Sequence, residues 1–64
     1  MANRTYVIYS VATYLDGTTD RRDEAVVSGE KAAISYCERK NEEYKKKRKD
    51  NKLLPKIVWL YRAR

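Results

Sequence analysis

Apolar residues alternate with polar or small ones along the first part of the chain, which is the pattern of a half-buried β-strand. The segment from Thr5 to Leu15 adds β-branched and aromatic residues to this pattern and predicts a long strand. Asp16-Gly17 follows, and this pair favours a two-residue hairpin turn because both central positions of such a turn need positive φ. A tight turn predicts the pairs Tyr9 with Glu24, Val7 with Val26, and Tyr6 with Val27.

The second and third strands are marked less evenly. Thr18 to Asp23 is polar, so a looser loop with a strand only at Glu24 to Val27 fits the sequence as well as a full hairpin. Further along, Leu53-Leu54-Pro55 predicts extended chain, because proline disfavours helix in the residue before it. Ile57 to Tyr61 is then predicted to form the third strand.

A helical period replaces the alternation between Ser28 and Asp50. Ser28 is the predicted N-cap, because its hydroxyl can accept a hydrogen bond from an N–H of the first turn, and the helix is predicted to end near Lys49. Residues spaced three or four apart, most of them small or aromatic, predict the side of the helix that packs on a sheet. They are Ala32, Ala33, Tyr36, Cys37, Lys40 and Tyr44.

These elements predict one α+β domain over residues 1–64, in the order strand, strand, helix, strand. A right-handed crossover from the second strand to the third gives a three-stranded antiparallel or mixed sheet in the order 2-1-3. The long helix is predicted to cover one face of that sheet.

Alternation sorts the strand residues onto the two faces. The face predicted to meet the helix holds Tyr6, Ile8, Ser10, Ala12, Tyr14, Ala25 and Val27, with Trp59 filling the remaining space. A single helix covers only one face. The other face is predicted to expose Val7, Tyr9, Val11, Val26, Val58 and Leu60, with Leu15 on the same side and a rim of Arg22, Glu24, Lys56 and Arg62. Exposed apolar patches of this kind mark interfaces in soluble proteins.

Charge is distributed unevenly along the chain. Residues 1–32 hold four basic and five acidic residues, whereas residues 33–64 hold eleven basic and four acidic ones. This asymmetry favours an acidic partner. The residues predicted to contact it are Lys45, Lys46, Lys47, Arg48, Lys49, Lys52 and Lys56.

The basic run has two interpretations. It is either a solvated helix end that keeps the protein soluble or a contact for phosphates or acidic protein. Consecutive residues point to different sides of a helix, so one groove cannot receive every charge. Contacts with nucleic acid would be sequence-neutral and sensitive to salt.

The sequence carries no catalytic or metal-binding signature. There is no histidine and only one cysteine, which excludes an intramolecular disulfide and a zinc set of Cys and His ligands. Cys37 lies in the middle of the predicted helix without a neighbouring base, so it is predicted to be a packed core residue. Gly17 and Gly29 form no phosphate-binding loop. We therefore expect no enzymatic activity, no metal, no cofactor and no small-molecule substrate.

Aromatic content and cysteine use refine these expectations. Six tyrosines and one tryptophan invite comparison with sheets that stack nucleobases, but Tyr6 and Tyr14 alternate with aliphatic residues, which favours packing in a core or an interface. A single unpaired cysteine fits the reducing cytoplasm. No stretch reaches the roughly 18 apolar residues of a membrane span.

The order of elements and the helix start Val27-Ser28-Gly29-Glu30-Lys31-Ala32 carry a family resemblance. The chain resembles small uncharacterised phage and bacterial proteins with a strand-strand-helix-strand fold, although Lys45 to Pro55 departs from that pattern. Such proteins are often accessory or host-takeover factors, including anti-CRISPR and other anti-defence inhibitors. The resemblance implies a protein that acts by occupying a partner's surface.

Two functional hypotheses follow. The first is a non-enzymatic binding protein, as a homodimer or a subunit, in which the basic run orients a partner. Its apolar contacts would come from Val7, Tyr9, Val11, Val58 and Leu60. The second is a sequence-neutral nucleic-acid-binding regulator that uses the basic run on phosphates.

Overall fold

The computed structural model describes residues 4–64, so the first three residues of the predicted domain lie outside the described residues. It contains β1 (Thr5–Thr13), β2 (Thr19–Ser28), α1 (Glu30–Asp50) and β3 (Lys56–Ala63). The strands form one sheet in the order β2-β1-β3, and both neighbouring pairs are antiparallel. The predicted α+β fold and strand order are confirmed.

The hairpin between β1 and β2 is one residue longer than the predicted two-residue turn. The Tyr14 N–H donates to the Thr18 carbonyl at 2.9 Å, and the Gly17 N–H donates to the Tyr14 carbonyl at 3.0 Å, which encloses a three-residue loop. Gly17 closes this loop with φ of 89°. Asp16 accepts hydrogen bonds from the Thr18 hydroxyl at 2.6 Å and from the Thr18 N–H at 3.0 Å. These two bonds, the hydroxyl bond more than the N–H bond, lower the pKa of the Asp16 carboxyl.

A β-bulge in β2 corrects the register that the longer loop shifts. Near the turn Tyr9 pairs with Asp23, so the predicted pair of Tyr9 with Glu24 is wrong. The register changes between Ile8 and Tyr9, which leaves Glu24 as the extra residue of the bulge. Beyond it, Val7 pairs with Val26 and Tyr6 with Val27, as predicted. The polar segment before the bulge is part of β2, so the looser loop is also wrong.

The junction between β2 and α1 depends on glycine. Ser28 is the last residue of β2, and Gly29 caps the helix with φ of 92° and no side-chain hydrogen bond, so the predicted Ser28 N-cap is wrong. The Gly29 N–H donates to the Arg4 carbonyl at 2.8 Å, which ties the turn to the start of β1. Gly29 combines this φ with a ψ of 140°, and a residue with a Cβ pays about 1–3 kcal/mol to adopt that conformation.

The core lies between α1 and one face of the sheet. Ile8 and Ala33 are completely buried and pack with Tyr6 and Cys37. Partly buried side chains surround this cluster, namely Ala25, Val27, Tyr36 and Trp59. The predicted placement of the helix over this face is confirmed, whereas Ala32 is exposed and does not join the core.

Candidate docking face and basic groove

The second face of the sheet is formed by cross-strand rows that follow from the register. Val26, Val7 and Arg62 make one row, Asp23, Tyr9 and Leu60 the next, and Arg21, Val11 and Val58 the third. Paired residues in neighbouring strands share a face, and these rows lie opposite the helix. We call the apolar part of this surface the open face, which consists of Val7, Tyr9, Val11, Val26, Val58 and Leu60.

Exposure within the open face rises from its centre to its outer strands. Val7 in the central strand is only 8% exposed, whereas Val58, Leu60 and Val26 are 37%, 41% and 53% exposed. Tyr9 and Val11 are half-buried. The flanking strands therefore offer most of the apolar area, and Val7 forms its floor between Val26 and Arg62.

The charged rim differs from the predicted one because the three-residue loop shifts the register of β2 between the turn and the bulge. Arg21 and Asp23 pair with Val11 and Tyr9 and therefore share the open face, whereas the predicted Arg22 pairs with Ser10 on the helix side. Glu24 also turns to that side, where it accepts a 3.0 Å hydrogen bond from the Ser10 hydroxyl. The Arg21 guanidinium lies 4.3 Å from the centre of the Tyr9 ring, a cation–π contact that covers part of the face.

Leu15 does not belong to the open face, because β1 ends at Thr13. Leu15 lies at the hairpin tip and lines a shallow cleft together with Leu53 and Pro55. Leu15 and Leu53 are 84% and 80% exposed. They form a second, smaller apolar surface that is separate from the sheet.

A groove separates the last turns of α1 from the start of β3. Its volume is about 430 Å³, and its lining includes Asn41, Tyr44 and Ile57. Its other lining residues are five cations, Lys45, Arg48, Lys49, Lys52 and Lys56, and we therefore call it the basic groove. Of the described residues that line it, none is Asp or Glu.

Two polar side chains of α1 hold the helix beside β3 and so form the walls of this groove. The backbone N–H of Trp59 donates to Asn41 Oδ1 at 2.9 Å, and Asn41 Nδ2 donates to the backbone carbonyl of Trp59 at 3.2 Å. The Asn41 amide thus binds the outer edge of β3 as another strand would. The Tyr44 hydroxyl donates to the Pro55 carbonyl, and its ring packs edge-on against Trp59 at 5.6 Å.

The predicted set of basic contacts divides into two groups. Lys45, Arg48 and Lys49 lie on the side of α1 that borders the groove, and Lys52 and Lys56 complete it from the following loop and β3. Lys46 and Lys47 are exposed but are not among the lining residues.

The remaining candidates for chemistry are in structural positions. Cys37 is buried under the sheet, and burial raises the pKa of its thiol above the ordinary value, so the thiol is protonated at neutral pH. Among residues 4–64, no three His, Cys, Asp or Glu side chains are grouped in a way that could hold a metal ion. The helix within this range is too poor in apolar residues to cross a membrane.

Asn41 and the groove were missed by reasoning from the sequence. Asn41 lies one turn after Cys37 and two turns after Ala33, so an amide at the sheet-facing side of the helix was the available signal. The groove depends on where the loop after α1 returns the chain, which the residue pattern does not specify.

Comparisons of the chain with protein-family models, with curated proteins and with solved structures found no match. The function is therefore inferred from the chain's own residues.

Proposed function

We propose that this protein is a non-enzymatic binding protein that docks on a protein partner through its open face. The observation that carries the proposal is the exposure of apolar side chains on a sheet face that no described element covers. Val26, Val58 and Leu60 expose between 37% and 53% of their surface in adjoining rows. Burying such area removes it from water at about 25 cal/mol per Å².

The rim defines the chemistry of the partner. Arg21, Lys56 and Arg62 border the open face, against Asp23 on the same face and Glu24 at the cleft beside Val7 and Val26, so among the described residues this rim carries a net positive charge. A second copy would bring the same cations together around the apolar patch, which costs energy unless water or counterions separate them. An apolar surface bordered by carboxylates is complementary to it. The rest of the basic helix end would accelerate association with such an acidic partner.

The size of the face limits the affinity that it supplies alone. Three strands spaced about 4.8 Å apart, with nine, ten and eight residues, cover roughly 400 Å². A standard interface buries about 800 Å² on each partner. We therefore expect either a transient complex or one in which the partner also contacts the rim.

Charge substitution on the open face tests this proposal. The double variant Val58→Glu with Leu60→Glu places two charges on the face, and both residues are already partly exposed, so the fold should survive. Affinity capture from cells that naturally express the chain, with nuclease added, should show a protein bound to wild type and at least tenfold weaker binding to the variant, since burying an unpaired charge costs several kcal/mol. Circular dichroism checks that the variant is folded.

Leu15→Glu with Leu53→Glu is the matched control, because it introduces the same charges at equally apolar, exposed positions away from the sheet. This control should retain the partner. Retention of the same protein by the Val58 and Leu60 variant, or loss in both variants alike, would contradict docking through the open face.

The resemblance to phage and bacterial accessory proteins stays a prediction. An inhibitor that occupies a partner's surface is one form that the proposed binding takes, and identification of the captured protein would decide whether it belongs to a host defence system.

A further inference from the structure

We propose that the basic groove is a second binding site, which holds the phosphodiester backbone of a nucleic acid without reading its bases. The site is independent of the open face. It is defined by five cations around one groove of about 430 Å³, with no acid among the described residues that line it.

The spacing of the cations fits the charge density of a nucleic acid. Lys45, Arg48 and Lys49 lie along about 6 Å of the helix, measured parallel to its axis at 1.5 Å per residue. This is about one positive charge every 3 Å along the axis. Measured along the axis of a duplex, each strand carries one phosphate per about 3.4 Å, and the two strands together carry one per about 1.7 Å. Lys52 and Lys56 extend the row beyond the end of the helix.

An acidic peptide matches this row less well. A peptide carries an anion only at its Asp and Glu residues, whereas a nucleic acid carries one at every nucleotide and so meets the row of cations with an unbroken row of charges. Four of the five cations are lysines, which act as point charges toward phosphate and fix no particular orientation of the backbone.

The two lysines outside the groove have a different setting. Lys46 and Lys47 follow Glu42 and Glu43 by four residues, an arrangement in which opposite charges on a helix attract. Their charges are partly offset within α1. Lys45 also adjoins an acid, since it lines a neighbouring cleft with Glu38 and Glu42, so the groove cations without such a neighbour in α1 are Arg48 and Lys49, joined by Lys52 and Lys56 beyond the helix.

The groove is unsuited to reading bases. Its aromatic lining residue, Tyr44, has its hydroxyl bonded to the Pro55 carbonyl and its ring packed on Trp59, so it does not present a free face for stacking. Contacts limited to phosphates position a nucleic acid but carry no sequence information. Affinity should therefore be equal for unrelated sequences.

Fluorescence anisotropy with short mixed-sequence DNA, single-stranded in one series and duplex in another, tests the proposal between about 50 and 200 mM salt. Wild type should bind with a slope of log K against log salt near −3.5 for single strands or −4.5 for duplex if all five cations contact phosphates. The steeper series identifies which form fits the groove.

Two variants with the same loss of charge separate the groove from general electrostatics. Lys45→Gln with Lys49→Gln removes two groove cations, and Lys46→Gln with Lys47→Gln removes two neighbours outside it; glutamine and lysine have similar helix propensities. The groove variant should reduce the magnitude of the slope by about 1.4 for single strands or about 1.8 for duplex and weaken binding at least tenfold at the lowest salt. The control should change affinity less than about threefold.

Equal losses in the two variants would overturn the proposal, because net charge alone would then explain binding. Absence of binding at the lowest salt would also overturn it, as would equal affinity for a polyglutamate peptide, which would identify an acidic polypeptide as the ligand. None of these outcomes depends on the open face. Val58→Ser with Leu60→Ser, which removes apolar area from the open face without changing its charge, should bind DNA as wild type does.

Discussion

Single residues set the geometry at the junctions of this fold, and Gly29 is the clearest case. Its φ of 92° lets β2 turn directly into α1, while a Cβ built there would contact no atom within 4 Å. The need for glycine is therefore conformational and not a matter of space. Ser28 looked like an N-cap because its side-chain type and position were right, but the strand continues through it. Residue type alone does not reveal which of two neighbours leaves the strand.

Replacing these two neighbours separates the two roles. Gly29→Ala should lower the free energy of unfolding by about 1–3 kcal/mol, because alanine pays to adopt the φ of 92° and ψ of 140° found at this position. Ser28→Ala should cost less than about 0.5 kcal/mol, since an exposed serine without a capping bond loses little. Urea denaturation monitored by circular dichroism measures both. A cost near 1 kcal/mol for Ser28→Ala with an unaffected Gly29→Ala would instead support a serine cap.

At the scale of elements, the hairpin shows how far the sequence determines the register. The apolar pairs nearest the helix were predictable, because Val26 and Val27 must face opposite sides of the sheet beside Val7 and Tyr6. The three-residue loop and the bulge at Glu24 were not. Each shifts the register by one residue in opposite senses, so a straight hairpin with a tight turn gives the same pairing at the core end. Only the polar half, where no core position constrains the pairing, differed from the prediction.

Two single-residue deletions test the bulge. Deleting Glu24 removes the extra residue and keeps Ala25 beside Ile8, so the cost should be near the roughly 1 kcal/mol of the lost Ser10 hydrogen bond. Deleting Val26 also removes the bulge, but it moves Glu24 to the position opposite the fully buried Ile8. That deletion should cost about 1–3 kcal/mol more than deletion of Glu24, because it places an unpaired carboxylate at the half-buried position that Ala25 occupies.

Thermal unfolding followed by circular dichroism distinguishes the two deletions. If the Val26 deletion melts at the same temperature as the Glu24 deletion, the bulge does not protect the core register in the way described.

At the scale of the whole molecule, the fold is thin and elongated. Its radius of gyration is 13.2 Å, against about 11 Å for a compact domain of this length, and its smallest Cα dimension is 11 Å. This thickness corresponds to one helix on one sheet. The sequence predicted this imbalance, since one amphipathic helix accompanies a sheet with apolar residues on both faces. The groove was not predictable, because it arises where the loop after α1 brings Lys52 and Lys56 beside the helix end.

These features give the molecule two distinct surfaces that meet near Lys56. Lys56 pairs with Thr13 at the end of the open face and also lines the groove. A protein docked on the sheet and a nucleic acid held in the groove would thus lie next to each other. Much of the net charge of +6 is concentrated at this end, which would speed the approach of any acidic partner.

The most direct test of the central claim is methyl NMR of the free protein with a soluble paramagnetic probe, at a concentration where the chain is monomeric. If the open face is uncovered in solution, the methyl signals of Val26, Val58 and Leu60 should broaden strongly, while those of Ile8, which is 0% exposed, should not. Protection of all three residues to the degree seen for Ile8 would contradict the account, because the face proposed for docking would then already be closed.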